Sequence, residues 1–407
     1  MTAAHTAGAA HGVTSPVLPP QWLDPTGQDP DGLARALQPF GRSRMLPAAA
    51  YTSPEVLAWE RRQLFAAGWT CLGREADLRE APSGQQATQR AVVVGDVAAL
   101  LVWSGGRLRA FANTCSHRGH ELLGAGDTSS RRSVVCPYHA WSYDLDGALR
   151  AAPGFHGVDG FHPDEHALVE LAVECWHGWV FCSAASPAGH QRTAFAEHVG
   201  ALESVIGPYA PERLVLADRH TYEVAANWKV VCENYHECYH CPMIHPELCA
   251  VSPPASGENY DLPGSWVGGR MELREGMATM SMTGESRSRP LPGAEPGIVE
   301  YVQLLPNLLI SAHPDYVMTH RLVPQAPDRT WVECSWYLAD PGDGSTPDSG
   351  YAVEFWDLTN RQDWAACESV QRGLASPHFS PGPFAPREDA VHRFVQRIGA
   401  AYLGAPL

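Results

Sequence analysis

Apolar positions along this chain fall into stretches of different period, and the changes of period mark its elements. Residues 46–83 predict a helix from Pro54 to about Ala67, followed by a first strand. From about residue 90 to 183 the text is made of short apolar runs: Ala91–Gly95, Ala99–Trp103, Leu108–Phe111, Ser133–Val135 and Trp179–Phe181. Such runs predict strands, with hairpin turns at Gly105-Gly106 and Asp146-Gly147, so this region reads as an antiparallel β domain. The pattern turns helical from Arg192 to about Gly207, returns to strand at Arg219–Val224, and is helical again up to Pro242. Residues 250–297, rich in Ser, Gly and Pro, predict loop and a candidate lid. Val302–Leu305, Leu308–Ser311, Val317–Leu322 and Trp331–Leu338 predict a second antiparallel sheet. Helices over about Tyr351–Ser376 and Glu388–Tyr402 would pack on it. The expected class is α+β in three parts: a flexible N-terminal arm 1–45, a β domain 46–185 and a larger domain 186–407.

Composition narrows the partners. The chain has 407 residues, with 29 Lys plus Arg against 45 Asp plus Glu, which argues against nucleic acid as a partner. No run approaches the roughly eighteen apolar residues that a membrane helix needs. Residues 1–45 lack a basic start and a continuous apolar stretch, so they read as a disordered or loosely docked arm rather than a signal peptide. The expected location is cytoplasmic. Most of the eleven cysteines (Cys71, Cys175, Cys182, Cys232, Cys249, Cys334, Cys367) read as small buried apolar residues. Cys238-Tyr-His-Cys241 is a C-x2-C without the strand-loop-helix setting of a redox pair and without a second C-x2-C to complete a zinc tetrad.

Two motifs carry chemistry. Cys115-Ser-His117 is followed, after eighteen residues, by Cys136-Pro-Tyr-His139. Each short loop holds one thiol and one imidazole. Two Cys on one iron and two His on the other describe a Rieske [2Fe–2S] centre, in which imidazoles raise the reduction potential. A zinc finger built on two cysteines and two histidines would pair Cys with Cys and His with His. Gly119 and Pro137 permit tight loops here. Downstream, His240 and His245 form H-x4-H with Pro242 between them. If the preceding helix runs to about His240, Pro242 ends it and His245 folds back from the next turn. Two imidazoles need a carboxylate to complete the facial triad of a non-haem Fe(II) site. Asp363, on the predicted C-terminal helix, is the chosen third ligand, and Asp357 the alternative. His236, four residues before His240, could share its helical face.

Together the two motifs resemble the catalytic alpha subunits of Rieske non-haem iron oxygenases over roughly residues 45–400. Tyr51-Thr-Ser-Pro-Glu-Val-Leu57 and Phe65-Ala-Ala-Gly-Trp69 are similar to the start of that family's chains. Cys115, His117, Cys136 and His139 match its cluster ligands, His240 and His245 its iron histidines, and Asp363 its carboxylate, in a D-x4-E helix with Glu368. Glu237 stands where many members carry an aspartate that links the iron site to a cluster histidine across a subunit interface. A glutamate there looks like the subgroup acting on quaternary ammonium compounds, such as glycine betaine and carnitine monooxygenases. Glu-Cys-Tyr-His-Cys and His245-Pro-Glu-Leu248 lean the same way. The eighteen-residue gap is slightly long for the family, with the extra residues around Asp127–Arg132.

The resemblance implies an antiparallel β Rieske domain joined to a helix-grip-like catalytic domain. It also implies O2 as co-substrate, NAD(P)H reached through a separate reductase or ferredoxin, and a homotrimer in which Glu237 joins His240 to His117 or His139 of the next chain. The chain has no G-x-G-x-x-G of its own after a strand, consistent with a separate reductase. Asn234 is a candidate to face the iron, Tyr138 and Trp141 to shield the cluster, and Trp266, Tyr301 and Tyr316 to cage a cationic substrate. Arg118, Arg131 and Arg132 could form a docking patch for an acidic ferredoxin. The favoured activity is monooxygenation and N-demethylation of a small ammonium compound. The alternatives are an aromatic-ring hydroxylating dioxygenase and, from another class, a Rieske electron carrier, which would need only the first 185 residues.

Overall fold

The computed structural model describes residues 17–81, 84, 86–185 and 193–407. Two seven-stranded antiparallel sheets and a small three-stranded one organise them. The first sheet runs, in spatial order, Thr70–Arg74, Trp179–Ser183, Glu170–Trp176, Arg107–Ala112, Val97–Ser104, Gln89–Val94 and Thr128–Ser129. Its hairpin at Gly105-Gly106 has φ of +58° and +73°, the two left-handed positions that a two-residue turn between twisted strands demands. The three-stranded sheet (Val134–Val135, Ser142–Tyr143, Leu149–Ala151) stands beside it and carries the second Cys/His loop.

The larger sheet has the order Leu214–Val224, Arg329–Ala339, Tyr316–Ala326, Leu308–Ala312, Ile298–Leu304, Trp266–Glu272 and Glu258–Asn259. Leu308–Ala312 is buried at every position, as a central strand covered on both faces should be. The long helix Gly350–Leu374 lies against this sheet and meets the helix Trp228–Tyr235, and Asp389–Tyr402 packs on that same helix and on the strand Trp266–Glu272. One apolar core, with Cys71, Trp179 and Phe181 from the first sheet and Leu304, Leu308 and Tyr337 from the second, runs through the junction between the domains. Asn307 clamps that junction by bonding both backbone groups of Cys71, at 2.9 and 3.0 Å.

Several expectations meet a different local structure. Of the expected flexible arm, residues 17–45 pack: Leu18, Leu23 and Ala36 are buried with Tyr51, Trp228 and Phe394. The helix from Pro54 stops being α at Glu60 and continues as a π-helical turn, Arg61–Ala66. The helix expected over Arg192–Gly207 is two short ones, Phe195–Val199 and Leu202–Ile206; Arg192 itself lies outside the described residues. Gly200 separates them at φ +53°, where a Cβ would lie 2.4 Å from the Pro263 carbonyl oxygen. The predicted loop 250–297 contains the strand Trp266–Glu272. Its Gly268 and Gly269 suggest a break, yet a Cβ at either would come within 2.1 Å of a carbonyl oxygen on an adjacent strand. Here the glycines serve close strand packing. Cys175 is exposed and Cys249 half-buried, unlike the other cysteines taken as core.

Candidate functional site

The two Cys/His loops are built alike. The Cys115 N–H donates to the His120 carbonyl (2.9 Å) and the Gly119 N–H to the Cys115 carbonyl (2.9 Å). In the second loop the Cys136 N–H donates to the Trp141 carbonyl (2.8 Å) and the Ala140 N–H to the Cys136 carbonyl (3.1 Å). Each loop therefore needs a left-handed residue four places after its cysteine, supplied by Gly119 (φ +75°) and Ala140 (φ +58°). An alanine there carries strain, and only its equivalence to Gly119 marks it in the sequence. Cys115 and Cys136 are buried, while His139 is exposed and His117 half-buried, their rings 4.9 Å apart. Trp141 lies under His117, stacked at 4.8 Å and 6°. Tyr138, expected as cover, is 54% exposed beside His139 and faces outward. Buried Asn113 ties the first loop down by accepting the N–H groups of Leu122 and Leu123 and donating to the Leu123 carbonyl. The Tyr143 hydroxyl accepts the Ser116 N–H (3.1 Å) and lies 3.2 Å from the Cys115 sulfur, where it can donate to a thiolate.

The second constellation draws on distant segments. Asn227 caps the helix Trp228–Tyr235 by accepting the Lys229 N–H at 3.0 Å. That helix ends at Tyr235, so His240 is not on it, contrary to the expectation of a helix stopped by Pro242. Glu237 explains the change: its carboxylate accepts the backbone N–H groups of Tyr239 and His240, which a continuing helix would have given to carbonyls. Pro242 lies in the first turn of the next short helix, Cys241–Ile244, where it has no N–H to waste. A disulfide between Cys238 and Cys241 closes the turn, so the C-x2-C set aside as a redox pair in the sequence is in fact bonded.

His240, His245 and Asp363 then converge. The two Nε2 atoms are 3.2 Å apart and lie 3.3 and 2.9 Å from Asp363 Oδ1. Donors bound at about 2.1 Å on adjacent positions of an octahedral ion lie about 3 Å apart, so the trio fits one face of such an ion. Both opposite ring nitrogens are occupied. His240 Nδ1 donates to Glu237 Oε1 (2.5 Å) and His245 Nδ1 to Gln362 Oε1 (2.7 Å). Gln362 in turn donates to Glu247 (3.3 Å). These partners hold each Nε2 as a bare lone pair facing the others. Among the described residues, the one set of three or more such donors within 4.8 Å of one another is His240, His245 and Asp363.

The other candidates fall elsewhere. Asp357 accepts from the Tyr222 hydroxyl (2.7 Å) and pairs with Arg361, and His236 bonds Gln303 (2.8 Å). Glu368 accepts the Ala225 N–H. Asn234 lines a cavity of about 240 Å³ that opens onto the trio. Of the expected cage only Tyr301 reaches this cavity. Trp266 is in the junction core and Tyr316 bonds the Met280 carbonyl. Tyr235, Trp356 and Trp364 provide the remaining aromatic wall. His320 also lines it, and burial pushes its imidazole down to about 4, so it is neutral. Gln362, Tyr143 and Asn113 carry no signal in the sequence, because nothing in their spacing announces their partners.

A β domain with a double loop of two cysteines and two histidines, joined to a sheet-and-helix domain with a two-histidine, one-carboxylate trio, defines a Rieske-type non-haem iron oxygenase. Family models agree: residues 68–162 match the Rieske [2Fe-2S] domain and residues 211–404 the ring hydroxylating alpha subunit, catalytic domain. The glycine betaine monooxygenase oxygenase subunit of Chromohalobacter salexigens is 30% identical over 400 residues, covering 89% of this chain and 86% of that one. The carnitine monooxygenase oxygenase subunit of Acinetobacter pittii is 37% identical over 203 residues, 49% of this chain and 52% of that one. The fold is similar to the quaternary ammonium Rieske monooxygenase CntA with L-carnitine, at a TM-score of 0.70 and 24% identity, covering 91% of this chain and 98% of that one. The chain belongs to the Rieske non-haem iron oxygenases, as a catalytic alpha subunit, and it is an enzyme. The catalytic-domain match rules out a bare electron carrier. When bound, the [2Fe–2S] cluster supplies electrons that come from NAD(P)H through a separate reductase, and the mononuclear iron supplies O2 activation. No helix among the described residues is long and apolar enough to cross a membrane.

Proposed function

We propose that this subunit hydroxylates a carbon–hydrogen bond next to the nitrogen of a small quaternary ammonium compound and so removes an N-methyl group. In balance, the N-methyl carbon gains one oxygen atom of O2, and the other leaves as water with two electrons and two protons. The hydroxymethyl ammonium then parts into a tertiary amine, formaldehyde and a proton. The observation that carries this reading is the cavity beside His240, His245 and Asp363: small, aromatic on Tyr235, Tyr301, Trp356 and Trp364, and edged by Glu237 and Asp389 as well as by Arg270 and Arg387. Aromatic faces attract a cation that can offer no hydrogen bonds. The relatives named for glycine betaine and carnitine support it.

His240, His245 and Asp363 hold the iron in this reading, and Cys115, His117, Cys136 and His139 hold the cluster. Glu237 bonds His240; in a cytoplasmic homotrimer it would be the coupling residue, meeting His117 or His139 of the next chain. Exposed Arg118, Arg131 and Arg132 beside the cluster loops form the landing surface for an acidic reductase or ferredoxin. The test is NAD(P)H-coupled O2 uptake with formaldehyde assay over a panel of ammonium and aromatic compounds. Stoichiometric formaldehyde from an ammonium compound supports the reading. A cis-diol from an aromatic ring with no formaldehyde replaces it with ring dihydroxylation. Sedimentation of the purified subunit tests the trimer.

A further inference from the structure

Residues that line the cavity carry buried polar atoms with no hydrogen-bond partner among the described residues. His320, 4% exposed on the strand Tyr316–Ala326, is the most informative. Its Nε2 lies 3.0 Å from Asn360 Oδ1, and the Asn360 amide donates from Nδ2 to the Cys334 sulfur at 3.6 Å. With Asn360 presenting its oxygen, the His320 proton is on Nε2, and Nδ1 is a bare lone pair. That Nδ1 is buried and has no hydrogen-bond partner among the described residues. The same holds for Trp364 Nε1 and the Tyr301 hydroxyl, whose residues line the same cavity. Trp364 packs edge-on against His320 with ring centroids 6.0 Å apart, directly after Asp363 in the chain. An unpaired polar atom in so buried a place costs about 1–3 kcal/mol unless a ligand pairs it.

Ligand chemistry follows from what these atoms require. His320 Nδ1 needs a donor, and Trp364 Nε1 needs an acceptor. A trimethylammonium group is neither, and a carboxylate has no hydrogen for Nδ1. An alcohol hydroxyl donates once and accepts up to twice, so it answers both. We propose that His320 is a specificity-determining residue, its Nδ1 accepting a hydrogen bond from a hydroxyl group on the ammonium substrate, with Trp364 donating to that same oxygen. The inference rests on the ammonium reading above and adds to it that the preferred substrate is a hydroxylated one.

Two probe pairs differing by one hydroxyl test it on the fully loaded enzyme with its reductase: L-carnitine with γ-butyrobetaine, and choline with ethyltrimethylammonium. In at least one pair kcat/KM should favour the hydroxylated compound by about 10-fold or more, because the analogue leaves buried groups unpaired. His320→Gln keeps an amide near the Nε2 position, facing Asn360, but has nothing at Nδ1. It should reduce the preference to near unity, chiefly by raising KM for the hydroxylated member. His320→Asn places its amide near Nδ1 and should retain part of the preference. Calorimetric binding of the same compounds separates affinity from chemistry, and cluster absorption with circular dichroism checks that each variant folds. Wild-type enzyme that treats both members of both pairs alike overturns the hydroxyl inference and leaves the ammonium reading standing, as does a preference unchanged in His320→Gln. If no ammonium compound binds or turns over while an aromatic one does, the ammonium reading fails and this inference falls with it.

Discussion

The two metal constellations solve the same problem, fixing imidazoles, in opposite ways. At the tip all four proposed cluster ligands sit in two loops of matching design, each tied by its own backbone, and the histidine edges are left toward the surface. In the trio proposed to hold iron, His240 is tied by nearby Glu237 but His245 by partners far away in sequence. His245 is 117 residues from the glutamine that orients it and 118 from the aspartate it meets. The tip is thus a local device presented outward. The trio exists only when the larger sheet, the long helix and the Glu237 turn are assembled around it. An electron carrier must touch a partner, whereas a site for O2 and a reactive substrate must exclude water, and the difference in burial follows from that division of labour.

The comparison is broken most sharply by single ligands. Asp363→Ala should remove the mononuclear iron and all product formation while the visible absorption of the cluster persists, because nothing at the tip depends on the long helix. Iron counting beside optical spectra checks this, and Asp357→Ala, whose carboxylate serves Tyr222, Arg361 and His220, should keep both. If the two aspartates exchange these outcomes, the assignment of the third ligand is wrong. The converse change, His139→Cys, should leave the trio's iron in place and lower the cluster potential by roughly a few hundred mV, toward all-thiolate clusters. Turnover would stop for want of electrons. Redox titration followed by electron paramagnetic resonance reads the shift.

Legibility in the sequence divides along the same line. The cluster loops are readable because a cysteine and a histidine two or three places apart state their geometry outright. His240 and His245 are nearly as plain, and Asp363 follows from the resemblance together with helical context. What holds the trio is not readable. Gln362 is an ordinary amide on a helix until His245 arrives from another segment. Glu237 stands out in the sequence, but not the way its carboxylate captures two backbone N–H groups and ends the helix early. The strand at Trp266–Glu272 is hidden because glycine signals both a break and a close approach, and only the neighbouring strands decide which. The aromatic wall differs from the expected cage for a related reason: Trp356 and Trp364 are on a helix whose cavity-facing side is set by how it packs on the sheet, not by its own period.

Glu237, which we propose couples the two regions across a trimer, gives the next largest effect. Its Oε1 is committed to His240 Nδ1, and the side chain is only 13% exposed, in contact with the turn it organises. As the coupling residue of a trimer, Glu237→Gln should preserve both metals and slow single-turnover transfer from pre-reduced cluster to product by about 100-fold or more. The amide can still cap the turn but no longer draws a proton from both imidazoles. Stopped-flow loss of the reduced-cluster absorption in the presence of substrate and O2 is the measurement. Transfer at the native rate, or a fully active monomer, removes the bridge.

Gln362 gives the smallest and most diagnostic test of the claim that the trio is held from afar. Its Oε1 accepts the His245 Nδ1 proton and its amide reaches Glu247, so it fixes which nitrogen of His245 faces the metal without touching the metal itself. In Gln362→Leu the imidazole loses its acceptor and can turn or exchange tautomers. Partners of this kind are worth about 10–100-fold in metal affinity, and that is the expected weakening, measured by competition with an iron chelator. Gln362→Glu should restore affinity to near the native level or above, since a carboxylate accepts the same proton and adds charge to the ligand, although it stands close to Glu247. Cluster content and potential should not move in either variant. Equal iron affinity in all three proteins would mean that burial and Asp363 alone orient His245, and the contrast between a locally tied tip and a remotely held trio would then rest on Glu237 only.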